Sequence, residues 1–254
     1  MAIEVLPLTK ADIPAAVECI QKAFADDPFF RWIFNKRSGF NLHRNAASMA
    51  AHFQYGLSCQ APIYIAKATS PTSASAINDD KAALLASNSS GDDDDDNDSD
   101  IAGVCWWFPP QPAGAPVTWT VWAQDWLLSL RQLLFNIRFG GRGGLNVRRY
   151  WQWKQRQERT HARIWSDPRG YYFCNVLAVN SAMRGMGVGR KLVEAVTQKA
   201  DLEGMPCYLE SSKGFPNLVI YEKLGFEVVE EIDCLDGKDA CKLYCMIRQP
   251  KKAD

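Results

Sequence analysis

Apolar and polar residues alternate along "IEVLPL" near the start of the chain, the two-residue period of a half-buried strand. The period then changes. Val17, Ile20 and Phe24 recur at helical spacing, behind Asp12 as a candidate N-cap and Pro14 in the first helical turn, where proline is tolerated. After the turn "ADDPFFRWIF", a helix is expected over 43–58 and a strand at "APIYIAKA". "IAGVCWWFPPQ" reads as a strand stopped by Pro109 and Pro110. Trp122, Trp126, Leu130, Leu133 and Ile137 then share one face of a long helix that Gly140 and Gly141 end. A basic helix follows over roughly 145–162. "YYFCNVLAV" (171–179) is a continuous apolar run, as in a strand buried on both faces. Leu192, Val193, Val196 and Ala200 mark another helix, with Gly204 suited to its C-terminal turn. "PCYLES" is a strand, Asn217 offers a cap for a short helix through "LVIYEKL" closed by Gly225, and "FEVVEEI" and "CKLYCMIR" finish as strands. This order predicts one α/β (α+β) domain with a mixed central sheet flanked by helices.

One stretch breaks the pattern. Residues 69–100 are rich in Ser, Ala and Asp and nearly free of large apolar groups, so they are expected to form a disordered acidic insertion between two strands. Residues 79–100 hold nine Asp and one Lys, a local charge of −8. The whole chain is neutral, so the rest carries +8, which would attract an anionic ligand. A second insertion, Trp-rich and helical, is expected over 111–165.

Composition narrows the class further. The chain has 254 residues, 47% of them hydrophobic, enough for a packed core. No apolar run is long enough to span a bilayer, and "MAIEVLPLTKADIP" has no secretory-signal pattern. The eight cysteines are scattered without a C-x-x-C pair, which suggests reduced, buried thiols and a cytoplasmic protein. His43, His52 and His161 are isolated, so no metal site is expected. The interleaved Arg and Trp of "RRYWQWKQRQERTHAR" accompany no nucleic-acid motif and read as core tryptophans with a wet charged face. Neither nucleic acid nor membrane is expected as a partner, and oligomeric state is left open.

The chemistry concentrates at "SAMRGMGVGRKL" (181–192), where Gly185, Gly187 and Gly189 lie between a buried strand and a helix start. Free N–H groups and the helix dipole make such a turn an anion site, and Arg184 and Arg190 add positive charge. The ligand should contain phosphate. A Walker A loop is excluded, because Arg190 and Lys191 follow Gly189. The dinucleotide fingerprint fails because Arg190 stands where its third glycine belongs.

The arrangement resembles the Gcn5-related N-acetyltransferase (GNAT) family. Arg184, Gly187 and Gly189 match its Arg/Gln-x-x-Gly-x-Gly/Ala loop, and "YLESS", Asn217 and "YEKLGF" match a second block at fitting spacing. "ADIPAAVECIQKAFADDPFFRW" and "MIRQP" look like its puromycin N-acetyltransferase-like branch. The resemblance implies acetyl-CoA as co-substrate. Its pantetheine arm would pair with Leu177, Ala178 and Val179, and its pyrophosphate would take amides from Gly185, Met186, Gly187, Val188, Gly189 and Arg190 beside Arg184, with Asn217 also in contact. Tyr221 would protonate the leaving thiolate. The family's strand glutamate is replaced by Phe173, which leaves Glu210 as the best carboxylate base beside a direct-attack route with water-borne proton loss. Cys174 is expected to be buried filler. Phe30, Trp107 and Trp122 are expected to wall the acceptor pocket. The expected activity is acetyl transfer to a small-molecule amine. A non-catalytic acyl-CoA sensor and a protein or peptide acetyltransferase are the alternatives.

Overall fold

A computed structural model describes residues 2–34, 39–69, 101–165 and 167–251. The acidic segment over 70–100 lies outside these residues. The chain runs β1 (Ala2–Pro7), α1 (Ile13–Ala23), α2 (Pro28–Ile33), α3 (Leu42–Ser58), β2 (Ile63–Thr69) and β3 (Ile101–Phe108). It continues with α4 (Trp119–Arg138), α5 (Val147–Ile164), β4 (Tyr172–Val179), α6 (Val188–Glu203), β5 (Cys207–Ser211), α7 (Asn217–Glu222), β6 (Glu227–Asp236) and β7 (Asp239–Arg248). The strands form one sheet in the order β1-β2-β3-β4-β5-β7-β6. Only the β4–β5 pair is parallel; the other neighbours are antiparallel. The mixed α/β architecture with helices against the sheet is the one the alternating periods predict.

The helices divide the core. Val188, Leu192, Val193 and Val196 of α6 pack with Cys105, Trp107, Cys174 and Leu209 on one side of the sheet. Gly103 permits that approach: a Cβ there would lie 2.9 Å from the Ala178 carbonyl oxygen and 3.0 Å from Val188 and Leu192. On the opposite side α1 and α3 cover the first strands, with Val17, Ile20, Phe53, Ile65 and Trp106 buried together. Trp32, Tyr208, Ile232, Cys245 and Leu243 form a third cluster, against which Trp153 and Ile164 of α5 pack.

Several local expectations change. Asp12 occupies the N-cap position of α1 without capping it; its carboxylate accepts from the Thr9 amide at 3.0 Å and pairs with Lys67 at 2.8 Å. Pro216, not Asn217, holds the N-cap position of α7, so Asn217 is the first helical residue. The basic face of α5 is not uniformly wet. Arg149 is buried, donating to Asp236 at 2.8 Å, to Asp239 at 2.5 Å and to the Trp32 carbonyl at 2.7 Å. Burial works against that cation, but the two carboxylates outweigh it and raise its pKa. Nor is Trp151 of α5 in the core; it is exposed.

Candidate active site

The sheet opens between its two parallel strands. Tyr172, Phe173 and Cys174 pair with Cys207, Tyr208 and Leu209, and the pairing then stops. From Asn175 to Val179, β4 keeps its β3 neighbour but has no strand on the other side. The register against β3 slips at the same place: Trp106 faces Val176 while Trp107 faces Cys174, so Asn175 is the extra, bulged residue. A bulge bends its strand and raises the local twist, which peels β4 away from β5. An unpaired edge with free N–H and C=O groups is a template for an extended ligand.

The glycine turn stands at the end of that edge. Gly185 (φ +80°) and Gly187 (φ +78°) are left-handed, a conformation that costs an L-residue roughly 1–2 kcal/mol. Neither has an atom within 4 Å of where a Cβ would stand, so the turn presents bare backbone to open space. Gly187 caps α6, and Lys191 is the first residue whose N–H bonds back, to the Gly187 carbonyl at 3.0 Å. The preceding amides, through Arg190, are the free donors of the first turn. Val188 is buried, so only its backbone can serve a ligand. Arg184 is exposed, whereas the Arg190 guanidinium is held by Glu194 at 2.7 Å. Open glycines, free amides and an unpaired strand edge in sequence fit an elongated molecule carrying phosphate.

Below the opening, Tyr221 packs against the core on the α6 side, with Phe226 6.2 Å away between ring centroids. Burial, then the neighbouring Cys174 and Asp27, raises the Tyr221 phenol above its usual range, so it is a proton donor at neutral pH. Cys174 is buried and its thiol is pushed well up, first by desolvation, as expected of filler and not of a nucleophile. Asp27 lies in the "DDPFF" turn (26–30) that the sequence placed at the acceptor wall, with no role of its own. It caps α2 by accepting from the Phe30 amide at 3.0 Å, is buried, and accepts from the Ser212 hydroxyl just past β5.

Glu210 lies one residue beyond the last β4–β5 pair. Its carboxylate accepts from Gln157 Nε2 at 2.9 and 3.0 Å and from the Tyr208 hydroxyl at 3.0 Å, and His161 Nε2 is 3.2 Å away. The Tyr171 hydroxyl meets His161 Nδ1 at 2.8 Å. One tautomer satisfies the whole set, with Nε2–H donating to Glu210 and Nδ1 accepting from Tyr171. His161, read as isolated in the sequence, is therefore a partner of Glu210 across 49 residues of chain. Its i, i+4 spacing from Gln157 on α5 was the available signal, but nothing in the sequence said which strand the pair would meet.

The expected acceptor wall is broken up. Phe30 lines a cavity of about 120 Å³ with Phe24, Phe34, Phe40, Gln21 and Asn45. Trp107 is not there: it is fully buried under α6, because β3 is an interior strand and alternation turns Trp107 to the α6 side and Trp106 to the α1 and α3 side. Trp122 is not there either. It sits on the outward side of α4, 49% exposed, between Trp119 and Trp126. Among the described residues no cluster of metal-ligating side chains is present.

Comparison with known proteins gives the class. Residues 149–228 match the family described as Acetyltransferase (GNAT) domain. That span contains β4, the glycine turn, α6, β5 and α7, so over this stretch the chain is similar to a GNAT acetyltransferase domain. A Schizosaccharomyces pombe protein named as an uncharacterized N-acetyltransferase is 30% identical over 154 residues, 60% of this chain and 58% of that one. The chain spans less than two thirds of the length of the curated relatives it matches. Among solved structures, the Drosophila melanogaster polyamine N-acetyltransferase aligns with a TM-score of 0.55 at 11% identity, over 98% of this chain and 100% of that one. A Corynebacterium glutamicum structure described as histone acetyltransferase HPA2 and related acetyltransferase aligns with a TM-score of 0.53 at 20% identity, over 100% and 99%. These likenesses establish the fold.

Proposed function

We propose that the protein is an acetyl-CoA-dependent N-acetyltransferase acting on a small amine. The observation that carries this reading is the unpaired β4 edge running into the open glycine turn at the N-terminus of α6. Leu177, Ala178 and Val179 would pair with the pantetheine arm. The amides from Gly185 to Arg190, with Arg184, would hold the pyrophosphate, and Asn217 would contact the coenzyme from the start of α7. Bound there, the coenzyme supplies an activated acetyl group.

The residues of the chain divide the proton work. Glu210, supported by Gln157, His161 and Tyr208, takes the proton of the attacking amine, directly or through a water. The Tyr221 phenol gives a proton to the departing thiolate. A backbone amide near Leu177 or Ala178 would polarise the thioester carbonyl. The aromatic cavity at Phe30 is the proposed seat of the acceptor's amine-bearing group. The puromycin N-acetyltransferase-like branch fits the opening and closing segments of the chain and belongs to this same reading.

Calorimetric titration with acetyl-CoA tests the proposal, with Gly187→Glu alongside. Binding by the natural protein and its loss in the variant are expected, because a carboxylate would occupy the open side of a left-handed turn built for an anion. Absence of binding by the natural protein defeats the reading. Binding without turnover across an amine panel would favour an acyl-CoA sensor.

A further inference from the structure

Helix α4 is built inside out. Along its 20 residues none is buried. Trp119, Trp122, Trp126, Leu130, Leu133 and Ile137 lie on one side, from 49% exposed at Trp122 to 81% at Trp119. They form a stripe about 27 Å long at 1.5 Å per residue. The other side, where Val121, Leu128 and Phe135 are half-buried, carries polar ties to α3. Gln132 Oε1 accepts from Arg44 at 3.1 Å and from Ser48 at 2.9 Å, and Asn136 Oδ1 accepts from Arg44 at 2.8 Å. A helix that docks through amides and turns tryptophans and leucines outward presents an apolar patch of the size that marks an interaction surface.

Charge selects the occupant. Between residues 117 and 151 stand five arginines and a single acid, Asp125. Asp125 is engaged by Tyr55 of α3. Arg149 is committed to Asp236 and Asp239, and Arg148 stands 4.0 Å from Asp236. Arg138 and Arg142 are exposed at and beyond the end of the helix, and Arg131 is half-buried. A second copy packed on this face would bring two arginine rims together without a free acid between them. An anionic bilayer satisfies both features at once: tryptophan, leucine and isoleucine enter the headgroup and acyl boundary while the arginines meet lipid phosphate and carboxylate. Among the described residues no helix is long and apolar enough to cross a membrane, so α4 would lie along the surface.

We infer that α4 is an in-plane docking helix for an anionic lipid bilayer, a partner the sequence reading did not expect.

The test is co-sedimentation of the full chain with vesicles of phosphatidylcholine alone or mixed with phosphatidylserine, with tryptophan emission recorded. Partitioning onto the mixed vesicles with a blue shift is expected, and little onto phosphatidylcholine alone. Leu130→Glu with Leu133→Glu should lower the partition coefficient by about tenfold or more, and Arg131→Glu with Arg138→Glu should weaken it selectively on anionic lipid. Circular dichroism of each variant confirms that the fold is kept. No partitioning of the natural protein overturns the inference, and so does equal partitioning onto both compositions. A dimer that Leu130→Glu dissociates, with no vesicle binding, would assign the face to a second copy.

Discussion

Glu210 carries four hydrogen-bonding contacts from three residues, and that crowding decides what its removal should do. Replacing it with Gln keeps the shape and removes the charge and the basicity. Base catalysis of this kind is worth about 10²–10⁴-fold, so Glu210→Gln should lower kcat by about a hundredfold or more while leaving acetyl-CoA affinity unchanged. Steady-state kinetics with calorimetry separates the two; an unchanged kcat would make Glu210 a structural partner and leave proton loss to water. At this scale the sequence was partly legible. The glycine turn was legible because it follows from local backbone rules, whereas Tyr221 and Glu210 were singled out through the family resemblance. His161 and Asp27 were given no role, because each is bonded to a residue far along the chain. Trp107 and Trp122 were misplaced because an aromatic's type does not say which side of a strand or helix faces the core.

Between elements, an ion pair ties α6 to β7. Arg248 of β7 donates to Asp201 of α6 at 2.6 and 2.7 Å and also reaches the Leu224 carbonyl, while the Lys251 amide bonds Asp201 at 2.8 Å. Arg248 is buried. Breaking one partner of such a pair costs about 3 kcal/mol or more. The bonds from Arg248 hold the Asp201 carboxyl below its usual range, with burial opposing. A lowered folded-state pKa contributes stability above the unfolded value, about 3.9, and loses it as pH falls through the folded value. Asp201→Asn should therefore melt well below the natural protein at pH 7, and the gap should narrow below about pH 4. Thermal melts across that range check the sign. Element positions were legible from periodicity alone, since each strand and each long helix carries its own pattern. The exposed side of α4 was not, because its apolar stripe has the same spacing whether it faces a core or a membrane.

Across the whole molecule, seven of the eight cysteines are buried and all eight are free. Burial raises the thiols of Cys105, Cys207, Cys241 and Cys245 to about 12, so they are neither accessible nor ionised near neutral pH. A disulfide-forming thiol reagent should label about one group quickly, at Cys59, and the remainder only on unfolding; fast labelling of several would show that the core opens. The sequence by itself determined the order of strands and helices and the glycine turn that frees a row of amides, because each depends on residues adjacent in the chain. The tertiary structure decided the opening between β4 and β5, the His161–Glu210 partnership and the outward side of α4. Those depend on which distant segments pack together, and packing is set by the whole core at once.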